Sequence, residues 1–183
     1  MNSMSGSLRD VCRSNADVYV LDASGFFAGF QLNVTGYVLT VPEVIDEVKD
    51  KESKRALEYS MEAGKVLVIK PKNEFKDKVA DLARELGELG RLSHTDIELL
   101  ALIKQLLEEG CRNVIVVTDD HSVQNVALKL GVKVHGIKYR PLSKPKKYVY
   151  VCPICGFTSE SPSTCPYCGV KLVRRYIKRL SPR

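Results

Sequence analysis

The chain has 183 residues, 28 Lys plus Arg against 22 Asp plus Glu, a formal net charge of +6, and 44% apolar with 27% charged residues. That balance excludes a wholly disordered chain and supplies enough apolar surface for a core of one or two domains. Short apolar runs such as 66–69 and 114–117 exclude a membrane helix, and a polar start carrying Arg9, Asp10 and Arg13 excludes a secretory leader, so a cytoplasmic protein without a membrane partner is expected.

Val18-Tyr19-Val20-Leu21 is an apolar, partly β-branched run that predicts a buried strand, and Asp22 stands where that strand hands over to a loop. Further strands are predicted over 37–41, 65–70, 113–118 and 133–137, with helical stretches between them. The alternation predicts an α/β sandwich with a mostly parallel sheet. Pro42 suits the first turn of a helix whose apolar face is Val44, Ile45 and Val48, with Glu43, Asp46, Glu47 and Asp50 around the rest. Residues 93–109 carry the clearest helical pattern. Ile97, Leu100, Ile103 and Leu107 recur at three- and four-residue steps, Ser93 with Asp96 makes an acidic capping box, and Gly110 ends the helix. The strand before Asp119-Asp120 leads into a helix patterned by Val123, Val126, Ala127 and Leu130 and stopped at Gly131.

In open α/β sheets ligands bind beyond the carboxyl ends of the strands, the position of Asp22 and of Asp119-Asp120. Glu47 and Asp96, each near the end of a helix, are candidates for the same edge. Carboxylates gathered in one place raise each other's pKa unless a cation lies among them, and an all-oxygen set suits magnesium or manganese. Each acid also has a plain structural reading: Asp96 as a helix cap, Glu47 on a solvated face, Asp22 as a loop cap, Asp119 or Asp120 opening the next helix. His94, His121 and His135 form no i,i+4 pair, which argues against a histidine-based zinc enzyme.

Charge and cysteine shift abruptly after residue 140. Residues 1–140 hold 19 basic and 21 acidic side chains, a net of −2, whereas 141–183 hold 9 basic side chains and Glu160 alone, a net of +8. Residues 141–147, with two prolines and three lysines, read as a linker. Cys152-Pro-Ile-Cys155-Gly and Cys165-Pro-Tyr-Cys168-Gly then predict a four-thiolate metal site in a small β-rich module. Zinc is the expected metal and its role structural, because protein fills all four positions; a rubredoxin-like iron site fits the same spacing. Cys12 and Cys111 read as isolated thiols. Lys144, Lys146, Lys147, Lys171, Arg174, Arg175 and Lys178, interleaved with tyrosines, predict an RNA-binding surface.

Four segments carry a family likeness: Val20-Leu21-Asp22-Ala23-Ser24, Val41-Pro42-Glu43-Val44-Ile45-Asp46-Glu47-Val48, Leu92-Ser93-His94-Thr95-Asp96-Ile97, and Val117-Thr118-Asp119-Asp120 followed by Ser122-Val123-Gln124-Asn125. In this order they resemble a PIN-domain ribonuclease, and more narrowly the archaeal Nob-type endonuclease of ribosome assembly, a PIN domain followed by a zinc ribbon. The resemblance spans residues 17 to about 175. It implies a PIN-like three-layer sandwich over 16–140, a linker at 141–147, a zinc ribbon over 148–176 and a basic tail at 177–183. It assigns Asp22, Glu47, Asp96 and Asp120 as the catalytic, Mg2+- or Mn2+-binding acids, with Asp119 able to share the work. It further implies cleavage of precursor small-subunit (16S) rRNA at its 3′ end within a pre-ribosomal small subunit, leaving a 5′-phosphate and a 3′-hydroxyl. A non-catalytic RNA-binding assembly factor and a PIN nuclease acting on other RNA are the competing readings.

Overall fold

The structure, a computed structural model, describes residues 8–14 and 16–177. Five parallel strands, β1 (Val18–Leu21), β2 (Tyr37–Thr40), β3 (Val66–Val68), β4 (Val114–Val117) and β5 (Lys133–His135), form one sheet in the order β3-β2-β1-β4-β5. The central strands read as unbroken apolar runs because helices cover both faces; Val20, Leu21, Val38, Leu39, Val116 and Val117 are all fully buried. Each predicted strand is present, shorter by up to three residues at its ends.

The helices are α1 (Leu8–Arg13), α2 (Ala23–Phe27), α3 (Pro42–Glu47), α4 (Lys51–Glu62), α5 (Asn73–Glu85), α6 (His94–Glu108) and α7 (His121–Leu130). The α6 boundaries agree with the sequence reading: Ser93 and Asp96 form the reciprocal capping box, and Gly110 follows the helix with φ +93°. Leu99, Leu100, Leu102, Ile103 and Leu106 are all buried, so α6 is the central helix of its layer. One segment differs from the expectation. The helix begun at Pro42 stops at Glu47, and Asp50 instead caps α4, accepting a hydrogen bond from the Ser53 N–H at 2.8 Å. The helix predicted from Pro42 through Asp50 thus ends at Glu47, and Asp50 opens a second helix.

Cys12 and Cys111 correct a second expectation. They form a disulfide, with Cα atoms 4.2 Å apart and a sequence separation of 99. No linear signal relates two lone cysteines so far apart. They meet because α1 packs against the core beside the turn that leads from α6 into β4. Closing so long a loop restricts the unfolded chain, so Cys12→Ser combined with Cys111→Ser is expected to lower unfolding free energy by about 2–4 kcal/mol. Denaturant melts of the variant should match those of the reduced wild type.

A second, antiparallel sheet of order β7-β6-β8 follows, built from β6 (Lys147–Val151), β7 (Thr158–Ser159) and β8 (Val173–Ile177). Its core is Tyr150, Cys152, Cys165 and Leu172. The segment expected to be a linker has no regular structure up to Lys146, and Lys147 already opens β6. Lys178 and the remainder of the predicted basic tail lie outside the described residues. No helix among the described residues is long and apolar enough to cross a membrane.

Candidate active site

The sheet order makes β1 and β4 neighbours whose connections leave in opposite directions, and their register pairs Leu21 with Val117. The next residues, Asp22 and Thr118, therefore lie side by side in the crevice at the strand ends. Asp22 caps α2: its Oδ1 accepts hydrogen bonds from Ser24 Oγ (2.6 Å) and the Gly25 N–H (3.0 Å). The Thr118 side chain lies close enough to the Asp22 carboxylate to lower its pKa. Thr118 Oγ1 accepts from the Asp120 N–H at 3.0 Å, and Asp120 Oδ1 caps α7 through the Ser122 and Val123 N–H groups at 2.6 and 3.1 Å. Buried Thr118 thus ties two of the predicted acids together.

Asp96 joins them from the first turn of α6. Burial, the largest influence, raises its carboxyl above the usual range; hydrogen bonds from Ser93 oppose this, and the charges of Asp120 and Glu47 raise it further. Asp96 is thus near enough to Asp120 and to Glu47, the last residue of α3, to feel their charges, although among the described residues these acids do not bring three donor atoms within 4.8 Å of one another. Burial likewise raises the Asp22 carboxyl, against hydrogen bonds from Ser24, Thr118 and Gly25. Asp96 caps through Oδ2 and Asp120 through Oδ1, which leaves the second oxygen of each outside its cap. The structural and the functional reading of these acids therefore coexist: one oxygen builds the helix start while the other stays available to a cation. A loose oxygen set of this kind suits an ion that keeps part of its water shell.

Asp119 points its chemistry elsewhere. Its carboxylate accepts the N–H groups of Ile137 (2.8 Å) and Lys138 (3.1 Å), with Tyr139 at 3.5 Å. Burial would raise its carboxyl, but these three donors and the Lys138 charge hold it below the usual range. Asp119→Ala is expected to loosen the 137–139 turn at a cost of about 1 kcal/mol, solvent screening included, while leaving RNA cleavage within a few-fold of wild type. Thermal melts and cleavage rates measured together check this.

A further group, Glu43, His94 and Glu98, brings three donor atoms within 4.8 Å of one another beside the acids. Lys76 already forms an ion pair with buried Glu98, and His94 Nε2 lies 3.4 Å from the same oxygen. The counter-charge there is supplied by the chain itself. His94 is otherwise exposed, as expected of a residue flanking the site. Arg91, which sequence reasoning did not single out, reaches Ser122 Oγ at 3.3 Å and so sets a guanidinium close to the start of α7.

The four remaining cysteines are free thiols whose sulfurs all lie within 4.8 Å of one another. The two knuckles repeat the same bonds: Cys152 N–H to Phe157 O (2.7 Å) and Gly156 N–H to Cys152 O (3.1 Å), then Cys165 N–H to Val170 O (2.8 Å) and Gly169 N–H to Cys165 O (2.9 Å). Gly156 and Gly169 have φ of +76° and +68°, the left-handed conformation that closes each turn. The Cys155 N–H holds the Cys152 thiol down to about 6, while hydrogen bonding to Cys155 is the main cause pushing Cys168 up to about 12. Crowded thiols that ionise so unequally fit a site that a cation completes.

The basic residues divide. Lys144, Lys171 and Arg175 are exposed; Lys146 and Lys147 are half-buried, Lys147 lying 3.7 Å from Glu160. Arg174 is turned inward, paired with buried Glu88 at 2.5 Å and lying 3.4 Å over the Tyr148 ring. Tyr167 and Tyr176 expose their rings, whereas Tyr150 belongs to the small core.

The model of the PIN domain of ribonuclease matches residues 19–106, which contain Asp22, Glu47 and Asp96. The chain is 44% identical over 161 residues to "Endoribonuclease Nob1" of Pyrococcus abyssi, covering 85% of this chain and 93% of that one. The chain belongs to the Nob1 endoribonucleases. "Ribonuclease VapC3" of Aeropyrum pernix is 37% identical over 137 residues, covering 75% of this chain and 98% of its own, and is a second PIN-type relative of this Nob1 chain. "20S-pre-rRNA D-site endonuclease nob1" of Schizosaccharomyces pombe is 36% identical over 89 residues, 48% of this chain and 22% of that one. As a Nob1 endoribonuclease, this PIN protein acts on RNA, and its parallel sheet and cysteine cluster agree with the expected PIN fold followed by a ribbon.

Proposed function

We propose that this Nob1 endoribonuclease is metal-dependent and cuts precursor 16S rRNA at the 3′ end of the mature sequence within the pre-ribosomal small subunit. What supports the reading is that Asp22 and Asp120 flank Thr118 at the switch point of the sheet, while Asp96 feels the charges of Asp120 and Glu47. Magnesium or manganese held by these four acids, each with one oxygen engaged or exposed at a helix end, would activate the attacking water and neutralise charge on the phosphoryl oxygens. Thr118 and Ser24 orient Asp22, and the α6 and α7 caps hold Asp96 and Asp120 in place. In-line water attack leaves a 5′-phosphate and a 3′-hydroxyl and uses no side-chain nucleophile.

Zinc on Cys152, Cys155, Cys165 and Cys168 folds the ribbon, and Lys144, Lys171 and Arg175 with Tyr167 and Tyr176 offer RNA both phosphate-directed charge and open rings. The Schizosaccharomyces pombe relative, named as a pre-rRNA endonuclease, supports the substrate. The VapC relative, a ribonuclease whose name carries no precursor substrate, leaves RNA of another kind as the rival substrate class. Incubating purified protein with an RNA spanning the 16S 3′ end, with and without manganese, separates them. Cleavage at one bond that requires the metal is expected. Scattered cleavage of any RNA favours the rival, and binding without cleavage overturns the catalytic reading.

A further inference from the structure

Ser122 and Val123 of the Ser-Val-Gln-Asn run serve the Asp120 cap, but the side chains of Gln124 and Asn125 bond none of the site acids, yet both residues are 0% exposed. They lie one turn into α7, the helix that Asp120 caps. Gln124 Nε2 donates to the carbonyl of Thr118 at 2.8 Å, and its Oε1 accepts the Leu142 N–H at 3.0 Å. Asn125 accepts the Lys146 N–H at 2.6 Å and donates to Lys146 O at 2.8 Å and to Glu88 Oε1 at 2.6 Å. The other oxygen of Glu88, which is 2% exposed, pairs with Arg174 of β8.

Backbone contacts run alongside. The Tyr148 N–H donates to Leu86 O at 2.9 Å, and Arg174 Nε donates to Gly87 O at 3.4 Å. A side chain at Gly87 would meet Tyr148 O at 2.3 Å, so only glycine allows β6 to come this close. A flexible tether needs none of this. Buried polar groups are held by partners on both sides of the boundary, and separating the two units would strand Glu88, Asn125 and Arg174 together.

We propose that Glu88, Gln124 and Asn125 form a buried latch that fixes the cysteine-rich module to the nuclease domain, making the module a rigid gauge that sets which phosphodiester reaches the acids. Asn125 and Glu88 are positioning residues: they touch no substrate, and they act through the linker and β8. Thr118 joins the two systems, since its hydroxyl oxygen accepts the Asp120 N–H while its carbonyl is held by Gln124. The gauge rests on the function proposed above, whereas the latch stands without it.

The test uses full-length, zinc-loaded protein with Glu88→Gln and Asn125→Ala, singly and together, Glu88→Gln being the milder change should the alanine variant fold poorly. In wild type, 15N relaxation should give one rotational correlation time for amides of both sheets. In the double variant the module's value should fall by roughly two-fold or more, as its small size requires once it moves apart. Cutting of the precursor at the mapped bond should drop by about 10²-fold, the cost of a misplacement of order 1 Å, with new cuts at neighbouring bonds. A short single-stranded oligonucleotide, too small to reach the module, should be cut at a rate unchanged within about two-fold, since no acid is altered. Joint tumbling in the double variant overturns the latch. Free tumbling with an unchanged cut overturns the gauge alone, and a wild type that cuts no single bond overturns the function reading instead.

Discussion

Asp22→Asn is expected to abolish cleavage of the precursor while leaving RNA binding and the fold intact. Asparagine caps a helix about as well as aspartate, so α2 keeps its start and the hydrogen bonds from Ser24 and Gly25 retain an acceptor oxygen. The change removes the anionic charge that Asp22 would contribute to the proposed metal site. Losing several kcal/mol of metal-borne charge stabilisation corresponds to a rate fall of about 10³-fold. Gel-based cleavage with manganese, paired with an RNA-binding titration, checks the two halves. Unchanged cutting would remove the acids from the mechanism, and lost binding would give Asp22 a different role. Asp120→Asn should behave alike, and its contrast with Asp119→Ala tells the site acid from the loop anchor.

Stripping the ribbon metal, or replacing Cys165 by serine, should unfold β6, β7 and β8 and leave the parallel sheet standing. Among the described residues the module's core comprises four buried side chains, two of them cysteines, so too little apolar burial remains once the sulfurs are released. The metal is expected to supply of order ~10 kcal/mol of folding free energy. Elemental analysis should find one zinc per chain in wild type and none in the variant, and amides of 147–177 should collapse to unfolded shifts. Iron in place of zinc would overturn the metal assignment without touching the ligand set. Because Tyr148 and Arg174 also carry the boundary with Leu86, Gly87 and Glu88, loss of the module should expose that edge of the nuclease domain to faster hydrogen exchange.

Much of the candidate site is legible in the sequence, for local reasons. Ser93 and Asp96 signal a helix start by spacing alone, and Asp22 and Asp120 follow apolar runs whose β-branched character marks them as strands. What a cap leaves undecided is whether its second oxygen has further work. Asp119 and Asp120 are adjacent and chemically identical, and only the loop after β5, folding back to present three N–H groups, distinguishes them. Arg174 read as one of several solvent-facing cations until its partner, Glu88, appeared 86 residues away in sequence. The Cys12–Cys111 bond was hidden for the same reason.

The amino-acid order by itself determined the alternation of strands and helices, the helix caps, the four-thiolate knuckles and the family, because each is written in spacings of a few residues whose physics is local. Tertiary structure alone decided which acids share a crevice, which cysteines bond, and how the ribbon is held. Those outcomes depend on strand order and on side chains buried against distant partners, and the desolvation that makes Glu88, Gln124 and Asn125 matter exists only once the chain has closed around them.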